Sequence, residues 1–216
     1  MRKTFLAITL FLAFSKAALA QFGNCTASEM RTYVDSATGN TITMLTDTMK
    51  NDRFLYQTDP MWTADGKYLL FRSSSRGNDK KVESTLPNGE KRKWTPTQIY
   101  FIEMATGKII QATEGPNLGS AFLANKTNRM FVSRKEKENW NMYVMDLDRF
   151  FADVKQGKVG KPSSYETFIG TFPTEMGRPG GYAVDCNDDY AYITVEREGT
   201  EEEKERMMKN AFLPES

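Results

Sequence analysis

The sequence predicts an all-β chain of repeated four-stranded antiparallel meanders, on three observations. Short apolar runs alternate with tight turns from Met61 to Ala112. The same arrangement recurs further along the chain. The turns carry residues that tolerate positive φ, as hairpin connections require. In the first unit Met61-Trp62 ends one strand, Ala64-Asp65-Gly66-Lys67 turns, and Tyr68 to Phe71 forms the second. Ile99 to Ile102 is the third strand and Lys108 to Ala112 the fourth, joined at Ala105-Thr106-Gly107.

The repeat decides the architecture. Trp62, Phe122 and Val184 take like positions, followed after a constant interval by Phe71, Phe131 and Ile193. Tyr100-Phe101-Ile102-Glu103 returns as Tyr143-Val144-Met145-Asp146, and Asp35-Ser36-Ala37-Thr38-Gly39 as Glu103-Met104-Ala105-Thr106-Gly107. With a polar insertion removed from the first unit, the spacing falls to the roughly 40–45 residues of a β-propeller blade. Complete units are expected over Trp62 to Ala112 and Phe122 to Phe172, the second with its own excess between Arg149 and Ser164. An outer strand at Thr41 to Leu45 precedes them and an opening pair at Gly181 to Thr194 follows. A β-sandwich also gives short, regularly spaced strands and is the competing architecture. Propellers close with four to eight blades. The expectation is therefore an incomplete β-propeller, about three of six to eight blades, in the N-terminal part of a longer protein. A short protein that closes by oligomerising is the other possibility.

Met1-Arg2-Lys3, the apolar run Thr4 to Phe14 and the small residues Ala18-Leu19-Ala20 read as a signal peptide over 1–20, cleaved after Ala20. The propeller domain then occupies 21–216. The apolar run is too short for a permanent membrane span, and Cys25 is not placed for a lipid anchor, so a periplasmic or secreted protein is expected. The whole-chain net charge is +1, but Arg2, Lys3 and Lys16 belong to the signal and the remainder is slightly acidic. That argues against a nucleic-acid binder. Cys25 and Cys186 are the only two cysteines; export makes a disulfide possible, and Cys186, which follows Val184 on an apparent strand, could equally be a buried free thiol.

Several residues are candidates for ligand contact. Arg72 and Arg76 lie at and after the second strand of the first unit. Arg134 and Arg197 hold similar places in the next two units. Arginine grips carboxylates bidentately, which suits an acidic saccharide; the structural reading is that each pairs with an Asp or Glu of a neighbouring unit. Trp94, Trp140 and Tyr182 are potential sugar-stacking platforms or packing residues. Lys80-Lys81 and Lys91-Arg92-Lys93 form a basic insertion, either a solvated mobile loop or a lip that attracts an acidic ligand. Asn78-Asp79 and Asn187-Asp188-Asp189 fit turns better than a calcium loop. Glu201-Glu202-Glu203 with Lys204 to Lys209 reads as an exposed helix or acidic loop.

Asp59-Pro60-Met61-Trp62-Thr63-Ala64-Asp65-Gly66-Lys67-Tyr68-Leu69-Leu70-Phe71, with Ser75-Arg76-Gly77 and Ile99-Tyr100 to Thr113, resembles the repeat of TolB-type propellers. Tyr33 to Gly39, Leu45-Thr46 and Phe54-Leu55-Tyr56 are similar to the opening of bacterial oligogalacturonate lyases, seven-bladed propellers that cleave pectin fragments by β-elimination. The resemblance runs from about Arg31 to Asp146 and implies an acidic oligosaccharide as ligand. It also implies a histidine base and a manganese ion held by histidines and a glutamine in the family's C-terminal half. This chain has 0 histidines, so no catalytic or metal residue carries over, and manganese is expected only of a full-length lyase relative. The alternative is a TolB-like propeller that binds protein or glycan partners in the envelope. A peptidase-associated propeller would instead need a nucleophile elbow in a further domain.

Overall fold

A computed structural model describes residues 22–77, 81–85, 89–172, 178–196 and 202. The signal segment, Asn78-Asp79, Lys80, Arg197, Glu201 and Glu203 to Lys209 lie outside the described residues. In chain order the strands are β1 (Cys25–Thr26), β2 (Arg31–Val34), β3 (Thr41–Met44), β4 (Asp52–Arg53), β5 (Tyr68–Ser73), β6 (Val82–Thr85), β7 (Lys91–Trp94) and β8 (Gln98–Glu103). They continue as β9 (Ile109–Gln111), β10 (Leu118–Leu123), β11 (Arg129–Glu136), β12 (Asn139–Asp146), β13 (Glu166–Phe172), β14 (Arg178–Val184) and β15 (Ala191–Glu196), with helix α1 (Leu147–Gln156) before β13. The fold is mostly β, and all pairings are antiparallel. Among the described residues the sheets do not close into a ring, and no helix is long and apolar enough to cross a membrane.

The second unit is the expected four-stranded meander, β10-β11-β12-β13. The first differs: its sheet has five strands, in the order β1-β9-β8-β5-β4. Met61-Trp62 is not a continuous strand. Trp62 makes an isolated bridge to Leu69, and Met61 accepts the Leu70 N–H at 2.7 Å. β4 pairs with the far end of β5, and Pro60, which lacks an N–H, stands in the interruption between them. β1 adds the outer fifth strand. The basic insertion, expected as a loop, is the hairpin β6–β7.

One turn repeats three times. The N–H of Thr63, Ala124 and Asp185 donates to the carbonyl of Tyr68, Arg129 and Tyr190 respectively, at 3.0 Å in each case. The structural equivalent of Trp62 and Val184 is therefore Leu123, not Phe122, one residue from the sequence alignment. It follows that Ser133, and not Arg134, is the counterpart of Arg72.

The alternation of side chains along strands assigns each face a neighbour. Tyr68, Leu70, Phe101 and Ile110 of the first sheet meet Leu123, Met130, Val132 and Met145 of the second in one core. The opposite face of the first sheet holds Phe71, Tyr100, Ile102 and Ile109, with Leu45 from beyond β3. The opposite face of the second sheet, Phe122, Phe131 and Met142, receives Tyr182, Val184 and Ile193 of the hairpin β14–β15.

Helix α1 fills the excess expected between Arg149 and Ser164. Asp146 caps it by accepting the Arg149 N–H at 3.0 Å, and Gly157 ends it at φ 65°. Leu147, Phe150, Phe151 and Val154 form its apolar stripe. The helix follows a strand of the second sheet but packs on the first: Phe151 stacks on Tyr68 with ring centroids 3.7 Å apart and meets Phe101 edge-on at 5.1 Å.

Candidate functional site

A cleft of about 470 Å³ opens at the junction of the two sheets, beside the end of β5, the hairpin β6–β7 and the start of β10. Its chemistry is set by Arg53, Arg72, Arg92 and Trp94, with Asn51 and Ser74 as further polar groups. Among the described residues no acidic side chain lines it.

The strands explain why the arginines converge. Arg53 of β4 and Arg72 of β5 are direct cross-strand partners. Like charges placed opposite each other destabilise a sheet unless something compensates them. Arg72 donates from Nη2 to the carbonyl of Phe54 at 3.3 Å. Among the described residues no carboxylate forms an ion pair with Arg53, Arg72 or Arg92. The third arginine comes from the insertion. In β6–β7, Glu83 pairs with Lys93 and Ser84 with Arg92. Lys91 and Lys93 thus share a face with Glu83, which Lys91 meets at 2.9 Å. Alternation puts Arg92 and Trp94 on the other face, the one that lines the cleft. Of the basic run, Arg92 lines the cleft, while Lys91 and Lys93 are turned to Glu83.

Gly119 shapes the opposite wall. A Cβ there would lie 2.5 Å from Ser133 Oγ and 2.6 Å from the Trp140 ring, so only glycine fits. Trp140 packs against that backbone. Tyr182 stacks on Phe122 with ring centroids 5.1 Å apart and shares a 2.9 Å hydrogen bond with Ser133. Of the three aromatic candidates, Trp94 alone lines the cleft.

Arg76 and Arg134, also singled out in the sequence, hold carboxylates of this chain. Arg76 spans two. Its Nε and Nη2 bond Asp52 at 2.8 and 2.6 Å, and its Nη1 and Nη2 bond Glu29 at 2.9 and 2.6 Å. Burial opposes the charged guanidinium, but the two carboxylates outweigh it and raise its pKa further. The Arg76 bonds in turn hold the Glu29 carboxyl below its ordinary value. Arg134 forms a two-pronged ion pair with Glu166, one prong at 2.6 Å, and lies over the Tyr143 ring. Arg72, Arg76 and Arg134 are thus not one cluster: the structure brings Arg72 together with Arg53 and Arg92. Arg53 precedes the aromatic run Phe54 to Tyr56 and gives no sequence signal of its own, because its pairing with Arg72 depends on the interrupted first strand.

Asn187-Asp188-Asp189 is a turn, as expected. Cys25 and Cys186 are both free and exposed; Cys186 lies in that turn and is not a buried strand thiol. Among the described residues no group of three or more His, Cys, Asp or Glu side chains could hold a metal ion. Among the described residues no donor set fits a manganese ion.

No protein-family model and no curated protein matches the sequence. Solved structures do match. An oligogalacturonate lyase in complex with manganese superposes with a TM-score of 0.54 at 20% identity, over 78% of this chain and 36% of that one. The oligogalacturonate lyase of Vibrio parahaemolyticus superposes with a TM-score of 0.52 at 21% identity, over 77% of this chain and 35% of that one. The chain spans about a third of the length of the structures it matches. Its sheets have the fold of part of an oligogalacturonate lyase.

Proposed function

We propose that the chain belongs to an exported β-propeller that recognises acidic saccharides of the uronide class, with the cleft between the first two units as the binding surface. One observation carries the reading: Arg53, Arg72, Arg92 and Trp94 converge on a cleft that no acidic side chain lines among the described residues. Guanidinium groups recognise carboxylates through paired N–H donors, and an indole face stacks on the apolar face of a sugar ring. The fold likeness to oligogalacturonate lyases supports oligogalacturonides as the ligand class. The chain has 0 histidines, so the role proposed for the cleft is recognition.

Calorimetric titration with trigalacturonate tests this against a neutral trisaccharide. Binding of the acidic sugar alone, weakened by salt, is expected, with Arg72→Ala costing about tenfold in affinity. No unsaturated uronate should appear. Equal affinity for the neutral sugar, or an Arg72→Ala/Arg92→Ala protein that binds unchanged, would sink the reading.

A further inference from the structure

The β4–β5 ladder continues past its last paired residues into a second row of cleft side chains. Asp52 pairs with Ser73 and Arg53 with Arg72. One step further, Asn51 meets Ser74: its Nδ2 donates to Ser74 Oγ at 2.7 Å. Alternation along a strand returns every second side chain to one face, so Asn51 shares a face with Arg53, and Ser74 with Arg72. All four line the cleft. The guanidinium row and the amide–hydroxyl row are about 7 Å apart, two residues of strand.

The second row is held from behind by the run Ser73-Ser74-Ser75. The Ser75 N–H donates to Ser73 Oγ at 3.2 Å, and Ser75 Oγ accepts the Asn51 N–H at 2.7 Å. Ser73 is buried, which roots the turn in the sheet. Asn51 is therefore fixed at backbone and side chain by two neighbouring serines, before any ligand arrives.

The hydrogen-bonding capacity of this row differs from that of the arginines. An amide nitrogen only donates, so Ser74 Oγ accepts from Asn51 and its own hydroxyl hydrogen goes to another group. Asn51 keeps Oδ1 as an acceptor. Among the described residues nothing donates to Asn51 Oδ1 and nothing accepts from Ser74. The row thus presents one donor and one acceptor to the cleft. A sugar hydroxyl matches both, because it donates and accepts. An ionised carboxylate only accepts and meets the Asn51 oxygen as a repulsive neighbour.

We propose that Asn51 and Ser74 form a hydroxyl-reading subsite, which restricts the cleft to acids that carry hydroxyls close to the carboxylate: sugar acids rather than plain polycarboxylates. The arginine row takes the carboxylate and the Asn51–Ser74 row the hydroxyl of the same ligand. The separation of the rows is on the scale of one sugar-acid residue. A site built to bond a hydroxyl rejects an analogue without one, because its own polar groups are then left unpaired. The inference rests on the saccharide-binding reading of the cleft and adds to it the groups that tell a uronide from another anion.

Calorimetry with two ligands tests it: trigalacturonate, and tricarballylate, which carries the same number of carboxylates and no hydroxyl. The parent protein should bind trigalacturonate at least about tenfold more tightly. Ser74→Ala and Asn51→Leu should each cost about fivefold in trigalacturonate affinity and leave tricarballylate within about twofold. Ser74→Thr, which keeps the hydroxyl, should behave like the parent, and Arg72→Ala should weaken both ligands. Where tricarballylate is too weak to measure, the loss in Ser74→Ala against retention in Ser74→Thr decides. Equal affinity of the parent for the two ligands, or Asn51 and Ser74 variants that weaken both alike or neither, overturns the subsite. The cleft reading then still stands as long as Arg72→Ala weakens trigalacturonate. If trigalacturonate does not bind, or ignores Arg72→Ala, the cleft reading falls and the subsite with it.

Discussion

Asp188 reaches out of its own turn and takes both the backbone N–H and the hydroxyl of Thr127 on one carboxylate oxygen, at 2.8 and 2.9 Å. The same side chain accepts the N–H groups of Asn125 at 2.6 Å and Lys126 at 2.8 Å. Asp188 holds φ 64° to do so, a region that favours glycine, and the equivalent position in the first turn is Gly66. One turn thus grips the turn before it. The second turn grips the first in a weaker version: the Asp65 N–H donates to Asn128 Oδ1 at 3.2 Å.

The Asp188 grip should be lost in acid. Burial raises its pKa, but the Asn125 and Lys126 N–H groups and the Thr127 hydroxyl outweigh that and hold it below the ordinary value. A depressed folded pKa means that the contribution is complete above about pH 4, the unfolded value. It disappears as pH falls through the lower folded value. Asp188→Ala should cost about 2 kcal/mol at neutral pH and abolish this part of the acid dependence. Hydrogen exchange of the 125–127 amides as a function of pH checks it.

Arg76→Ala should be more damaging than a surface change. It leaves Glu29 and Asp52 facing each other without their shared counter-ion, where breaking a buried pair costs roughly 3 kcal/mol. Chemical denaturation reads the loss. Trigalacturonate affinity should stay within about twofold where the protein is folded, because Arg76 does not line the cleft; a change as large as that of a cleft arginine would place Arg76 in recognition after all.

Gly119→Ala pushes a methyl into Ser133 and Trp140. A cost of about 1–3 kcal/mol is expected from overpacking, accompanied by a shift in Trp140 fluorescence. An unshifted melting temperature would show that the β10 backbone moves freely there.

Phe151→Ala removes the ring stacked on Tyr68 and should cost about 3–5 kcal/mol. Phe151→Leu should recover most of it. If both variants melt like the parent, the helix does not hold the first sheet.

Much of the fold is legible in the sequence because its turns are. Asp65-Gly66 and Ala105-Thr106-Gly107 mark hairpins that the structure contains, and Tyr143 to Asp146 does return in the place of Tyr100 to Glu103. The misreadings have local causes. The constant interval to Phe131 matches Phe122 to Trp62, whereas the turn hydrogen bond makes Leu123 the equivalent. Helix α1 had all its signals, Asp146 before the stripe and Gly157 after it, yet lay inside what counted only as surplus length. The cleft was half visible. Arg72, Trp94 and the Arg92 run stood out by type, but Arg53 joins them only through the pairing of β4 with β5, and nothing in the residues around it announces that pairing.

Helix α1 has one more consequence. Its sequence neighbours belong to the second sheet, while Phe151 and Lys155 are anchored on Tyr68 and Glu103 of the first, the lysine at 3.1 Å. A protease that nicks the connection around Glu114 to Asn117 should therefore release nothing. The two pieces would stay together through the helix, and separately produced fragments should find each other and reconstitute the pair. A unit of this chain transplanted alone would carry either a helix with no seat or a seat with no helix.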